Sequence, residues 1–330
     1  METLGDFLET SDHHFQDTKY SEQNNGLEVS ELDLCEASTT LESRKLVKTD
    51  TVPWLNQRSI VADNNSKSFG GMRIVWANLD IGNYPWKCGI RKSNQELILE
   101  LLELKRARQL VPDGGIICLP TKSRHNSKKQ SFALSTTAHC VLVWTHNLVT
   151  NRTEAIWWGD DESVPSSSLK SVLGYQRKLV SHPMFMALVA AIVISQATQD
   201  AVESIRDTIN QVENRTKHSP FNPSLRSTAA GSYASLSAVM SGSATHLAGK
   251  EMESSTLREI LDSIMSYQWP EGIERPEWAE KVIEEVNDCV KILRQRLKAQ
   301  ELKLRYLSHR TNIQLTAVGP PSVFLTSILG

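Results

Sequence analysis

Three consecutive carboxylates, Asp160, Asp161 and Glu162, are the clearest cluster of potential metal ligands in this sequence. Hard divalent cations such as Mg²⁺ bind to oxygen ligands of this kind. The cluster directly follows a run of strand-forming residues, and a solvated turn is the commoner reason for such a triplet. If the chain holds a metal ion, these three carboxylates are the residues we expect to bind it.

Other reactive side chains are present, but their spacing does not form a catalytic site. His139, Cys140 and His146 lie in one strand-like segment. Successive strand residues face opposite sides, so position 139 cannot share a site with positions 140 and 146, and all three fit residues of the core or its edge. No nucleophile elbow, phosphate-binding loop or dinucleotide fingerprint occurs. The sequence therefore predicts that the protein is not an enzyme.

Charge is distributed unevenly along the chain. Residues 1–50 contain 12 acidic and 4 basic residues, a net charge of −8, whereas the whole chain has a net charge of −2. Residues 1–68 are polar and poor in aromatic residues, so they cannot bury enough apolar surface to offset the entropy of ordering. We predict that this acidic leader is disordered. The basic loop from Lys122 to Lys129 has no interleaved aromatic residues, which predicts no nucleic-acid partner.

The cellular compartment is indicated by the cysteines and by the apolar segments. The five cysteines are dispersed without C-x-x-C spacing, as is usual in a reducing compartment. The first 30 residues have no secretory signal pattern. The longest apolar runs, Met184–Ser195 and Ser322–Leu329, are shorter than the ~18 residues of a membrane span. These features predict a cytoplasmic protein without a membrane span in this chain.

A small mixed α/β unit is predicted over residues 69–162. Short β-branched and aromatic runs at 72–78 and 115–120 indicate strands. Between them, residues 93–111 begin with a serine in a capping position and repeat apolar residues at helical spacing, which indicates a helix. The following segment predicts a hairpin with its turn near residues 150–152, which brings the unit to about four strands.

Long helices are predicted over residues 163–318. An apolar stripe with helical spacing covers 184–216. A Pro/Ser/Gly/Ala-rich stretch at 219–249 indicates a connector with at most one weak helix, and a compact helix covers 253–269. The segment "WPEGIERPEW" breaks that helix. A final helix then runs from 276 to about 316, on the order of 60 Å. The predicted fold class is therefore α+β, with one very long C-terminal helix.

The final helix carries an apolar stripe that is longer than a small domain can cover. We expect it to pack on another long helix or on another copy of the chain through Val282, Val286, Leu293, Leu297, Leu304 and Leu307. The opposite face is basic toward its end, and we assign Arg310 to it. This face is either an ordinary solvated face, which composition favours, or a juxtamembrane face for anionic lipid headgroups. The sequence thus predicts self-association or a helix-mediated protein partner.

The end of this helix reads "YLSHRTNIQLTAV". The matching positions are Tyr306, Leu307, Arg310, Thr311, Gln314 and Leu315. With the order of elements, this stretch resembles the fungal branch of the CorA-type divalent metal-ion transporters. The resemblance covers about residues 72–318. It implies a cytosolic α/β domain feeding long helices, oligomerisation through the longest helix, Mg²⁺ as the ion sensed by carboxylates, and a membrane-protein partner.

The chain departs from that family at its end. The Gly-Met-Asn motif and both membrane spans of the family are absent, and Gly319-Pro320-Pro321 interrupts the helix that leads to them. Residues 319–330 form an atypical apolar tail. The expectation is a CorA-like protein reduced to its soluble domain, regulatory or vestigial, which does not conduct ions alone. The alternative is a helical scaffold or adaptor without an ion role.

Overall fold

The computed structural model shows an α+β fold, as predicted. It describes residues 26–35, 39–47, 68–78, 116–119, 129–136, 140–159, 177–216 and 233–318. Within these ranges the chain forms one seven-stranded mixed sheet, then three long helices, of which the last is the longest. The predicted helix at 93–111, the basic loop, the predicted metal-binding carboxylates and the tail at 319–330 lie outside the described residues.

The sheet has the strand order β2-β1-β3-β7-β6-β5-β4. Its strands are β1 Gly26–Cys35, β2 Thr39–Val47, β3 Ser68–Asn78, β4 Ile116–Leu119, β5 Lys129–Thr136, β6 Cys140–Asn147 and β7 Arg152–Gly159. β3 and β7 pair in parallel, and all other neighbours are antiparallel. The parallel pair joins an N-terminal group of three strands to a C-terminal group of four.

β1 and β2 differ from the prediction of a disordered leader at residues 26–35 and 39–47, and residues 1–25, 36–38 and 48–67 lie outside the described part. The two strands pair with each other, and β1 also pairs with β3. The acidic composition of the leader as a whole outweighed the apolar residues Leu27, Val29, Leu32 and Leu34 of β1.

The hairpin predicted near residues 150–152 is present between β6 and β7. Asn147 Oδ1 accepts hydrogen bonds from the backbone N–H groups of Val149 and Thr150, at 3.0 and 3.2 Å. Asn151 takes a φ of 52°, a left-handed conformation that asparagine tolerates. The predicted first arm of the hairpin is two strands, β5 and β6.

The predicted amphipathic helix over 184–216 is confirmed as α1, Phe185–Thr216. Its first turns are apolar on every side, and residues 185–191 are fully buried. α1 contains an 18-residue stretch that is long and apolar enough to cross a membrane, but 67% of that stretch is buried inside the protein. Burial of this extent is usual for the core helix of a globular fold.

α2, Tyr233–Met265, corrects the predicted connector at 219–249. From position 233 onward, residues whose composition suggested a linker form a helix. The reason is that Leu236, Met240 and Leu247 are spaced to face one core, and all three are buried. Gly242 and Gly249 lie on the exposed side of the helix. Mid-helix glycine costs only about 1 kcal/mol, which a buried apolar face offsets.

The final helix is confirmed as α3, Glu277–Val318, whose 42 residues extend about 63 Å. Gly272, in the predicted breaker before it, has a φ of 78°. The apolar stripe predicted to pack on another long helix or on another copy of the chain is largely buried within the chain. Val286, Leu293, Leu297, Leu304 and Leu307 are buried, and Val282 is half-buried.

The chain divides into two compact units, and this division crosses all three helices. One unit contains Met1–Val193 and Arg258–Leu293, and the other contains Ile194–Leu257 and Arg294–Gly330. The second unit is a helical bundle in which α1, α2 and α3 share one apolar core: Val202, Ile205, Ile209, Val212, Leu236, Met240, Leu247, Leu304 and Leu307. The unit boundaries therefore differ from the domain boundary predicted at residue 162.

Candidate functional site

Three residues of the stretch "YLSHRTNIQLTAV" lie in a buried polar layer between α1 and α3. We call this set the polar layer: Glu213 and Thr216 of α1, with Arg310, Thr311 and Gln314 of α3. All five side chains are buried. Their spacing of three or four residues places each set on one face of its helix. The layer lies one to two turns beyond the apolar core residues Ile209 and Leu307.

An ion pair occupies the centre of the polar layer. Arg310 Nε donates to Glu213 Oε1 at 2.9 Å, and the terminal Nη2 donates to Glu213 Oε2 at 2.5 Å. The same nitrogen donates to Asn210 Oδ1 at 2.8 Å. Arg310 and Glu213 are only 7% and 8% exposed. This two-point contact between guanidinium and carboxylate fixes the relative orientation of both side chains.

The Arg310 guanidinium has a second partner in the ring of Tyr306, whose centroid lies 5.5 Å from its central carbon. A cation over an aromatic face is attracted by the ring quadrupole. The hydrogen bonds with Glu213 raise the pKa of Arg310 above its ordinary value, and the Glu213 charge adds to that shift. The assignment of Arg310 to a solvated face was therefore wrong, because α3 turns this residue toward α1.

The rest of the polar layer is only partly hydrogen-bonded. Thr216 Oγ1 lies 3.2 Å from Gln314 Oε1 and donates to it, and lies 3.0 Å from its own helix carbonyl at Val212. Thr311 is fully buried, and its hydroxyl has no hydrogen-bond partner within the described residues. An unpaired buried hydroxyl costs free energy, so this position is the weakest part of the layer.

Further contacts of α1 with α3 show that the two helices run parallel in this unit. Gln300 Nε2 donates to the backbone carbonyl of Ser195 at 2.9 Å, and Lys303 forms an ion pair with Glu203. The contacting residues follow the same order along both helices, from Ser195 and Gln300 to Thr216 and Gln314. The polar contacts therefore follow one helix–helix seam over about five turns.

A second buried polar cluster lies in the other unit, where the sheet meets the start of α1. Trp144 Nε1 of β6 donates to the carbonyl of Pro183 at 2.8 Å. His182 Nδ1 accepts the backbone N–H of Met184 at 3.1 Å, which satisfies one donor at the entry to α1. The His182 ring also lies edge-on to Tyr267, with the centroids 5.5 Å apart.

His146 belongs to the same cluster and is completely buried. Its Nδ1 lies 2.8 Å from Thr153 Oγ1, and its Nε2 has no hydrogen-bond partner within the described residues. Burial and, to a smaller extent, the nearby charge of His182 lower the pKa of His146 to about 3. Burial likewise lowers the pKa of His182 to about 4. Both imidazoles are neutral at neutral pH.

The buried histidine cluster also contains a hydroxyl beside an imidazole. Thr153 Oγ1 lies 2.8 Å from His146 Nδ1, and these residues are 1% and 0% exposed, so the pair is buried. No group of three or more His, Cys, Asp and Glu side chains is placed to bind a metal in the part of the chain that the structure describes. The predicted ligands Asp160, Asp161 and Glu162 lie outside that part.

The spacing of the polar-layer residues in the sequence indicates that they lie on the buried faces of α1 and α3. Leu307, Arg310 and Gln314 continue the apolar stripe of α3 in phase, as Glu213 and Thr216 continue that of α1. Polar residues that continue an apolar stripe in phase are candidates for a buried pair, but the sequence does not identify their partners. No protein-family model matches this chain, and no curated protein matches it.

Proposed function

We propose that this chain is a CorA-like soluble domain, related to divalent metal-ion transporters, which acts in regulation and does not conduct ions alone. The observation that supports the proposal is the burial of Arg310, Thr311 and Gln314 against α1. In the proposed domain this motif holds the longest helix in one fixed position. An α/β unit followed by such helices is the architecture that the resemblance implies.

Mg²⁺ is the proposed ligand, held by Asp160, Asp161 and Glu162. The test is unfolding of the full chain in denaturant, followed by circular dichroism, with and without Mg²⁺. A ligand that binds only the folded state stabilises it by about 2.7 kcal/mol at a free concentration of about 100 times Kd. We expect Mg²⁺ to raise the unfolding midpoint of the native protein.

The decisive variant is the triple substitution Asp160→Asn, Asp161→Asn and Glu162→Gln. It is expected to abolish the Mg²⁺ effect. The matched control changes three exposed glutamates by the same total charge: Glu251→Gln, Glu259→Gln and Glu271→Gln. It should retain the effect. If the native protein gains no stability from Mg²⁺, or if the control loses the effect as well, the proposed ion role is wrong.

A second candidate function is a helical scaffold that binds a protein partner through α3. The observation that favours it is the exposure of large apolar side chains on this helix: Ile292 is 53% exposed, Leu302 67% and Tyr306 46%. Association that is independent of Mg²⁺ and weakened by Leu302→Ala supports the scaffold. Association that needs Mg²⁺ supports the CorA-like domain.

A further inference from the structure

One face of α2 in the helical bundle is exposed and uncharged. From Tyr233 to Gly249 the helix contains no Asp, Glu, Lys or Arg, whereas α3 contains 14 such residues among its 42. We call this face the outer face of α2, and its members follow one another in steps of four and three residues: Ala234, Ala238, Ser241, Thr245, Ala248 and Met252. All six are exposed, and Met252, a large apolar residue, is 61% exposed. A helix face that stays in water usually carries charged residues, so this one has the composition of a face that is covered.

The outer face of α2 has no partner within the described residues. A Cβ added at Gly242 or Gly249, which flank this face, would meet nothing within 4 Å. The opposite side of the helix is packed, because Leu236, Met240 and Leu247 belong to the core of the bundle. Only one of the two apolar sides of this part of α2 is therefore in contact with the described chain.

The start of α2 and the end of α3 lie at the same end of the bundle. Thr198 Oγ1 of α1 donates to Glu253 Oε2 of α2 at 3.0 Å, while the earlier part of α2 shares its core with the later part of α1. α2 therefore runs antiparallel to α1, and its first turns lie beside the last turns of α1. Thr216 contacts Gln314 of α3 at that same end. The chain that follows Val318 thus leaves α3 level with the first turns of α2.

We propose that residues 319–330 of this chain dock on the outer face of α2. These residues lie outside the described part, and none of them is charged. Pro320 and Pro321 end the helical path, so the chain can turn back toward α2. The apolar residues that follow are Val323, Phe324, Leu325, Ile328 and Leu329.

The length and the charge of the segment both fit this face. The nine residues 322–330 reach up to about 30 Å when extended. The outer face of α2 is about 27 Å long from Ala234 to Met252. The other segment that leaves the bundle at this end, residues 217–232, contains Lys217 and Arg226, so it fits an uncharged face less well.

In the docked arrangement the large apolar side chains of residues 322–330 lie over the small side chains of α2, and burial of this apolar surface favours docking. Both surfaces belong to one chain, so docking does not depend on the protein concentration. This inference does not depend on the proposed function.

The test measures how fast a thiol on the outer face of α2 reacts with a maleimide in the full chain. Ala238→Cys introduces the thiol, and peptide mass spectrometry distinguishes it from the five native cysteines. The same variant is then compared with one that also carries Phe324→Ser, Leu325→Ser and Ile328→Ser. A segment docked about 90% of the time leaves the thiol accessible about 10% of the time, so the serine substitutions are expected to speed labelling roughly tenfold. The control thiol, Gln295→Cys at an exposed position of α3, should react at the same rate in both backgrounds.

The reciprocal experiment changes the face and follows the docking segment. Ser327→Cys places the thiol in the segment, and Thr245→Asp places a charge at the centre of the outer face of α2, which is expected to speed labelling of that thiol. The matched control Gln295→Asp should leave the rate unchanged. Circular dichroism checks that both aspartate variants keep the native helix content.

Two outcomes overturn the proposal. One is a labelling rate for Ala238→Cys that the serine substitutions do not change, which would mean that the face is open or that another segment covers it. The other is protection that increases with protein concentration, which would assign the contact to a second copy of the chain.

Discussion

The buried pair of Arg310 and Glu213 makes a quantitative prediction about stability. Arg310→Met removes the cation but leaves the Glu213 carboxylate 8% exposed and without its charge partner. Removing one member of a buried ion pair typically costs about 3–5 kcal/mol, because the remaining charge stays buried. Replacing both members, as Arg310→Met with Glu213→Leu, removes both charges. We expect the double variant to be more stable than Arg310→Met alone, and within about 2 kcal/mol of the native protein.

Urea unfolding followed by the helical circular dichroism signal measures these differences as a double-mutant cycle. The control is Lys291→Met, which breaks an ion pair with Asp288 whose two side chains are 65% and 60% exposed. We expect no measurable change from the control, because exposed pairs contribute little. The reasoning is refuted if Arg310→Met costs no more than the control, or if the two substitutions at the buried pair are simply additive.

Three further predictions follow from the described residues. The pKa values of His146 and His182 lie near 3 and 4, below the unfolded value of about 6.5, so the unfolded chain takes up protons first. As the pH is lowered from 6.5 to 4, the free energy of unfolding should therefore decrease by about 1.4 kcal/mol per pH unit for each histidine. A variant with glutamine at both positions should show a weaker dependence on pH. Gly242→Ala, where an added Cβ meets nothing within 4 Å, should stabilise the protein by about 0.5–1 kcal/mol, whereas Gly272→Ala, at a φ of 78°, should destabilise it in the same denaturation assay. Leu304→Ala deletes a core side chain that is 1% exposed and should cost about 2–5 kcal/mol, and a loss below 1 kcal/mol would contradict the assigned core.

The helices could be predicted from the sequence where a long apolar stripe repeats. α1 and α3 were located to within about two residues because such a stripe integrates many weak preferences. α2 was only half found, since its first part combines Ser, Gly and Ala with apolar residues at 236, 240 and 247. The intrinsic helix propensity of this part is low, and it is helical because its apolar face is buried.

The sheet was underestimated because its pairing is not local. β1 is stabilised by β3, which follows it by more than 30 residues, and no local pattern reveals such a partner. The polar layer was missed for a related reason. An arginine at position 310 suggests a solvent-exposed side chain. Its burial is compensated by the ion pair with Glu213, which lies 97 residues earlier in the chain. A sequence period shows which face is apolar, but it does not show which polar residue on that face has a partner.

The polar layer also constrains how α3 can move. Sliding α3 by one turn along α1, about 5.4 Å, would bring Gln300 or Thr311 to positions that leucines of the apolar stripe now occupy. The same slide would separate Arg310 from Glu213, Gln314 from Thr216 and Gln300 from Ser195 together. The polar contacts therefore favour one register of this seam, because any other register leaves several buried polar groups without these partners.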